Sequence, residues 1–289
     1  MTLFINLRAT PVGGDVVDLP YAMDASAASP NVTRVSTADF AARVAGKDLI
    51  VATHGFNVDQ QHGIVALSKW STQLPSSYVF VGALWPGDSK YLPVIDYVYE
   101  GPEAIHSGRN LANYLNANAA GARSITLTSH SLGARVILEA IRGLDAAPSP
   151  QKVVLMAGAI ENDCLVREYS DSARKVQQGI RVLASMRDLV LEFAFPVGNL
   201  FGQIVMHGHP YDRSALGRAG PAQTMLAGVT SWQIPGEWKY DHGDYLPGDG
   251  VIGTVPPVLA APMPNDSEPS TSSGWKRAWS AAAVTDYLT

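Results

Sequence analysis

The chain has 289 residues, 46% of them hydrophobic, and a net charge of −5. That length and apolar content suffice for one large buried core, and an acidic balance without any polybasic run argues against nucleic acid as a partner. Cys164 is the only cysteine, so an intrachain disulfide is excluded and a reducing compartment is expected.

Residues 3–8 and 15–19 carry strand-forming side chains around a turn at residues 11–14, so the chain is expected to open with an antiparallel pair. The first residues lack the basic region and apolar run of a signal peptide. No stretch reaches the roughly 18 apolar residues of a membrane span. The expectation is a cytoplasmic protein. Residues 22–37 are small and polar and read as loop. Ser36 or Thr37 is positioned to cap a short helix through Val44, which Gly46 ends.

Residues 48–53 form a continuous apolar run, the pattern of a strand buried on both faces of a parallel sheet. The run leads directly into His54-Gly55-Phe56-Asn57. A strand that ends in His-Gly-aromatic is suited to supply an oxyanion-hole donor, here the backbone N–H of Phe56, because Gly55 lets the backbone approach a ligand closely. A helix is expected over 59–74 and a buried strand over 78–84. Residues 88–100 follow with Tyr91, Tyr97 and Tyr99, an aromatic cluster beyond a strand end and a candidate lid or insertion. A helix is expected over 102–115.

A β-rich run at 123–128 then drives into Ser129-His130-Ser131-Leu132-Gly133, and the chain leaves with helical spacing over 134–141. A serine at such a strand-to-helix turn sits on strained backbone with its Oγ above the sheet. The N-terminus of the following helix points N–H groups at the same spot, which makes the N–H of Leu132 the second oxyanion donor. Gly133 meets the demand for a small residue two places after Ser131, and Ser129 stands where the commoner pattern has a first glycine.

Buried strands are expected at 152–159 and 180–186, a helix at 170–178 and a helix start at 189–195. The stretch 196–228 reads as a second candidate lid or insertion. A last strand is expected at 229–234. Residues 255–274 read as a Pro/Ser-rich linker and 275–288 as a terminal helix, in which Trp275, Trp279, Ala283 and Tyr287 form a packing stripe.

A serine nucleophile needs a base, and the base needs an orienting acid. Three histidines follow Ser131, namely His207, His209 and His242. His242 comes after the last strand in a loop with Gly243 and is the expected base. The acid should end a strand between the two, where Asp188 and Asp163 both qualify, each also a natural helix N-cap; Asp188 is favoured. His207 and His209 with Asp212 lack a third strong ligand and stand among Gly and Pro, so no metal is expected. No cofactor is expected.

Strands alternating with helices imply an α/β fold with a mostly parallel sheet. Taken in order, His-Gly-Phe, Leu-Trp-Pro-Gly, Ser-His-Ser-Leu-Gly-Ala-Arg-Val, a strand ending in Asp188 and Asp-His-Gly-Asp-Tyr resemble the α/β-hydrolase superfamily. Within it, the chain resembles a bacterial branch of unknown function. The resemblance covers about residues 48–250 of what reads as a single domain over 1–289. It implies an α/β-hydrolase fold with about eight strands flanked by helices, a Ser131–Asp188–His242 triad supported by the His54-Gly55 loop, and a small-molecule ester or similar acyl substrate. An amidase, thioesterase or lactonase would use the same triad. A non-catalytic scaffold would lack a triad member, and none is lacking. Dehalogenase or epoxide hydrolase chemistry would call for an Asp where Ser131 stands.

Overall fold

A computed structural model describes residues 1–88, 93–192, 214–222, 227–247 and 273–288. Its nine strands are β1 (Thr2–Arg8), β2 (Val16–Ser26), β3 (Ser29–Val35), β4 (Asp48–Thr53), β5 (Val79–Leu84), β6 (Ser124–His130), β7 (Pro150–Met156), β8 (Ile180–Ala184) and β9 (Val229–Gln233). They form one sheet in the order β3-β2-β1-β5-β4-β6-β7-β8-β9. From β1 to β9 every neighbour is parallel, and β2 and β3 add an antiparallel edge. The central strands β4 and β6 are buried almost along their whole length; β4 carries the apolar run of a strand covered on both faces, and β6 fills its place with Ile125, Leu127 and small hydroxyl side chains.

Helices α1 (Thr37–Val44), α2 (Gln60–Ser71), α3 (Pro93–Asn118), α4 (Gly133–Gly143), α5 (Ser170–Lys175) and α6 (Ser273–Leu288) flank the sheet. Capping sets two starts: Ser36 accepts from the N–H of Asp39 and Asp59 from that of His62. Helix α4 is strongly amphipathic, and Val136, Ile137, Ala140 and Ile141 are all fully buried. Helix α6 docks through Trp279, whose ring meets Trp232 of β9 edge-on at 5.1 Å.

Two sequence expectations are corrected. Residues 22–37 are not loop, because β2 runs to Ser26 and β3 occupies Ser29–Val35, which brings the sheet to nine strands. Phe4 of β1 pairs with Met23, and Ala22 with Val35, so β2 lies between β1 and the edge strand β3, whose polar residues the apolar pattern understates. Helix α3 begins at Pro93, well before Pro102, so residues 93–100 are the opening turns of a helix. Pro102 removes one backbone donor, and the helix continues on both sides of it.

Other expectations fall partly outside the described residues. These are 89–92, the part of 196–228 other than 214–222 and 227–228, and 255–272 of the expected linker. The chain is helical at 189–192, as expected. A short helical turn, Leu216–Ala219, packs beside β8 through a hydrogen bond from the N–H of Ser185 to the carbonyl of Gly217.

Candidate active site

Parallel pairing of β4 with β6 sets Thr53 opposite Ser129. The His54-Gly55-Phe56 loop and the Ser131 turn therefore leave the sheet side by side, at the carboxyl ends of adjacent strands. Ser131 has φ of +55°, left-handed backbone that a non-glycine residue adopts at a cost of about 1–2 kcal/mol. The surrounding structure holds it there: its N–H donates to the carbonyl of Met156 at 2.9 Å and its carbonyl accepts from Ala134 at 3.0 Å. A Cβ on Gly133 would lie 2.5 Å from the carbonyl oxygen of His54, so this position admits no side chain. Ser129 is buried between its strand neighbours, and the sheet tolerates its small side chain.

Three sequence-predicted residues come together beyond the strand ends. Ser131 Oγ lies 2.8 Å from His242 Nε2, and His242 Nδ1 lies 2.8 Å from Asp188 Oδ2. Asp188 is fully buried beyond the end of β8. Its second oxygen, Oδ1, accepts the N–H of Leu191 at 2.9 Å. The carboxylate is thus at once a helix N-cap and the partner of the imidazole. With Nδ1–H donating to Asp188, Nε2 is left as an acceptor for the Ser131 hydroxyl. Asp163, the other candidate acid, instead stands 3.4 Å from the guanidinium of Arg167. His242 opens a 3-10 turn, His242–Asp244, whose ends Asp241 and Asp244 cap reciprocally.

The backbone of the His54 loop borders the serine. A Cβ on Gly55 would fall 2.7 Å from Ser131 Cβ and 3.3 Å from its Oγ, so the backbone at residue 55 approaches the hydroxyl as only glycine allows. Leu132 follows Ser131 with helical dihedral angles at the N-terminus of α4. Asn57 is also left-handed, with φ of +58°, and its N–H donates to the carbonyl of Gly87.

His54 itself is buried beneath the loop. Its Nδ1 donates to the carbonyl of Gly55 at 2.9 Å, and its ring stacks on Trp85 with centroids 5.9 Å apart. Burial pushes its pKa down to about 4, so it is neutral at pH 7.

Sequence reasoning missed two groups. His130, inside the pentapeptide, donates from Nε2 to the backbone carbonyl of His242 at 2.7 Å. Burial is the main cause of its low pKa, about 3, and the nearby His242 adds to it. A histidine next to a nucleophile was the available signal, but spacing alone gives it no partner. Arg8, fully buried, donates to the carbonyl of Trp85 at 2.8 Å and pairs with Asp88 at 2.5 Å. An arginine that ends an apolar strand was the signal there. This network ties the β1–β2 turn to the loop after β5.

A cleft of about 590 Å³ opens beside the serine turn, lined among others by Gly55, Asn57, His130, Gly243, Leu246 and Arg277. Among the described residues no His, Cys, Asp and Glu side chains converge as a metal site would require. His207, His209 and Asp212 lie outside the described residues. Among the described residues no helix is long and apolar enough to cross a membrane.

A parallel sheet with a serine on a strained turn between β6 and α4 defines an α/β hydrolase. Residues 32–245 match the family described as "Alpha/beta hydrolase of unknown function (DUF900)", and the chain belongs to that family. No curated protein matches it. Similar solved structures include an esterase of Pyrobaculum calidifontis at 13% identity, with 84% of this chain and 77% of that one covered and a TM-score of 0.35. A fungal esterase from Rhizomucor miehei shares 12% identity over 83% of this chain and 76% of that one, with a TM-score of 0.39. Esterase B from Lactobacillus rhamnosis shares 12% identity over 68% of this chain and 69% of its own, with a TM-score of 0.34.

Proposed function

We propose that the protein is a serine hydrolase that cleaves carboxylic esters through an acyl-enzyme. The observation that carries this reading is the hydrogen-bonded chain Ser131 Oγ–His242–Asp188, 2.8 Å at each link, built on a serine with φ of +55°. His242 takes the Ser131 proton as Oγ attacks the acyl carbon. The N–H groups of Phe56 and Leu132 hold the oxyanion, each contributing on the order of 3 kcal/mol to the barrier reduction. His242 then protonates the leaving alcohol. Water, activated by the same imidazole, releases the acid and restores Ser131. Asp188 holds the tautomer and stabilises the imidazolium.

The cleft favours short acyl groups. Asp59, His62 and Arg277 line it beside Val12, Val58, Leu246 and Pro247; the apolar residues offer room for a short acyl group, and a long alkyl chain would run on against the ionisable groups and strip water from them. The test is hydrolysis of p-nitrophenyl esters from acetate to palmitate by wild type and Ser131→Ala. Activity that peaks at the short end and disappears in the variant supports the reading. An intact fold that hydrolyses no ester refutes it.

A further inference from the structure

The loop that carries His242 is fastened on both sides of that residue to one stretch of α6, a helix that lies beyond the matched family span of 32–245. Lys276 Nζ donates to Asp244 Oδ2 at 2.6 Å and to the carbonyl of Lys239 at 2.6 Å. The side chains of Lys276 and Asp244 are only 10% and 13% exposed. The same Oδ2 accepts the N–H of Asp241 at 2.8 Å, so the ammonium and the cap of the His242 turn share one oxygen.

The neighbouring residues repeat the arrangement. Tyr240 donates its hydroxyl to the carbonyl of Lys276 and lies 2.5 Å from Ser280 Oγ. Arg277 Nε donates to the carbonyl of Leu246 at 3.0 Å. The ring of Trp279 meets that of Tyr240 edge-on at 5.6 Å. Residues 239, 240, 244 and 246 are thus attached to 276–280. A nearly buried ammonium–carboxylate pair recovers little net stability, because desolvation offsets the attraction. What it does provide here is a fixed position for the turn.

We propose that Lys276 is a positioning residue for His242. Its ammonium fixes Asp244, Asp244 fixes the turn, and the turn keeps Nε2 on Ser131 Oγ and Nδ1 on Asp188. This inference rests on the serine-hydrolase reading and deepens it by making α6 part of the site.

The test uses full-length protein and two readouts. The first needs no substrate: the far-downfield NMR signal of the proton shared by His242 and Asp188, assigned by its disappearance in Asp188→Asn. Lys276→Met is expected to broaden or abolish this signal, and Lys276→Arg, which keeps the cation, to retain it in part. The second readout is steady-state ester hydrolysis. Lys276→Met is expected to lower kcat on the order of 10- to 100-fold, because the imidazole is displaced from Ser131, and Lys276→Arg to restore part of it.

Where Lys276→Met fails to fold, the double variant Lys276→Met with Asp244→Asn removes the unpaired buried charge and carries the same expectation. A wild-type proton signal and wild-type kcat in either folded variant would overturn the proposal. If the wild-type protein hydrolyses no ester, the proposed function fails, and the proton signal alone decides the positioning role.

Discussion

Replacing Gly55 by alanine tests how closely the proposed oxyanion loop and the serine turn are fitted together. The added methyl would sit 2.7 Å from Ser131 Cβ and 3.0 Å from His130 Nδ1. Carbon atoms in good contact stand about 3.5–4.0 Å apart, so the two segments must separate by roughly 1 Å. The serine turn cannot easily yield, since Ser131 is already left-handed and pinned to Met156. The loop must therefore move, and the N–H of Phe56 moves with it. A displacement of about 1 Å in a reacting constellation costs on the order of 100-fold in rate, close to the loss of one oxyanion donor at about 3 kcal/mol. Overpacking should cost a further ~1–3 kcal/mol of stability. The assay is kcat/KM on the best p-nitrophenyl ester together with thermal unfolding of both proteins. A Gly55→Ala variant with wild-type kcat/KM would refute the fitted-loop argument.

The remaining expectations concern the acid and the buried imidazoles. Asp188→Asn should lower kcat on the order of 10⁴-fold, as loss of a triad acid does, yet barely shift the melting temperature, because Asn caps a helix as well as Asp. Asp163→Asn should leave kcat unchanged, and equal losses in the two variants would undo the choice of acid. His54 and His130 titrate near 4 and 3 in the folded chain against an ordinary 6.5. The unfolded chain therefore binds more protons between those values, and stability is lost as pH falls from 6.5 toward them. By about pH 4.5 each buried imidazole should have cost roughly 2–3 kcal/mol, measured by urea unfolding at that pH and near neutrality. Replacing His130 by Gln should remove its share of this slope, and an unchanged slope in that variant would show that His130 is not the buried group responsible.

The parts of the fold that the sequence announces are those where local pattern and burial agree. Strand β4 is apolar from Leu49 to Ala52 because both faces are covered, β6 shows as a β-branched run of Ile and Thr, and the bounds of both match the expectation closely. Strand β3 was hidden because an edge strand needs few apolar side chains, and Thr33 and Arg34 read as loop until β2 pairs with them. Pro102 argued for a helix start, but the ladder tolerates one missing donor inside a long helix.

The meeting of Ser131, His242 and Asp188 was legible for the same kind of reason. Ser131, Asp188 and His242 stand at strand ends or in loops, in an order the fold constrains. The groups that hold them are harder to read. The partner of His130 is a backbone carbonyl 112 residues away, and Lys276 meets Asp244 only after α6 has docked. Residue type and spacing give no hint of such pairings, since they depend on tertiary packing alone.

The central claim is that Ser131 is the nucleophile, and covalent capture tests it most directly. Wild type and Ser131→Ala are incubated with an alkyl fluorophosphonate and measured by intact mass, and the adduct is mapped by peptide digestion. One adduct is expected on wild type, located on Ser131, and none on the variant. A Ser131→Ala protein labelled as fast as wild type, or a wild-type adduct on another residue, would contradict it.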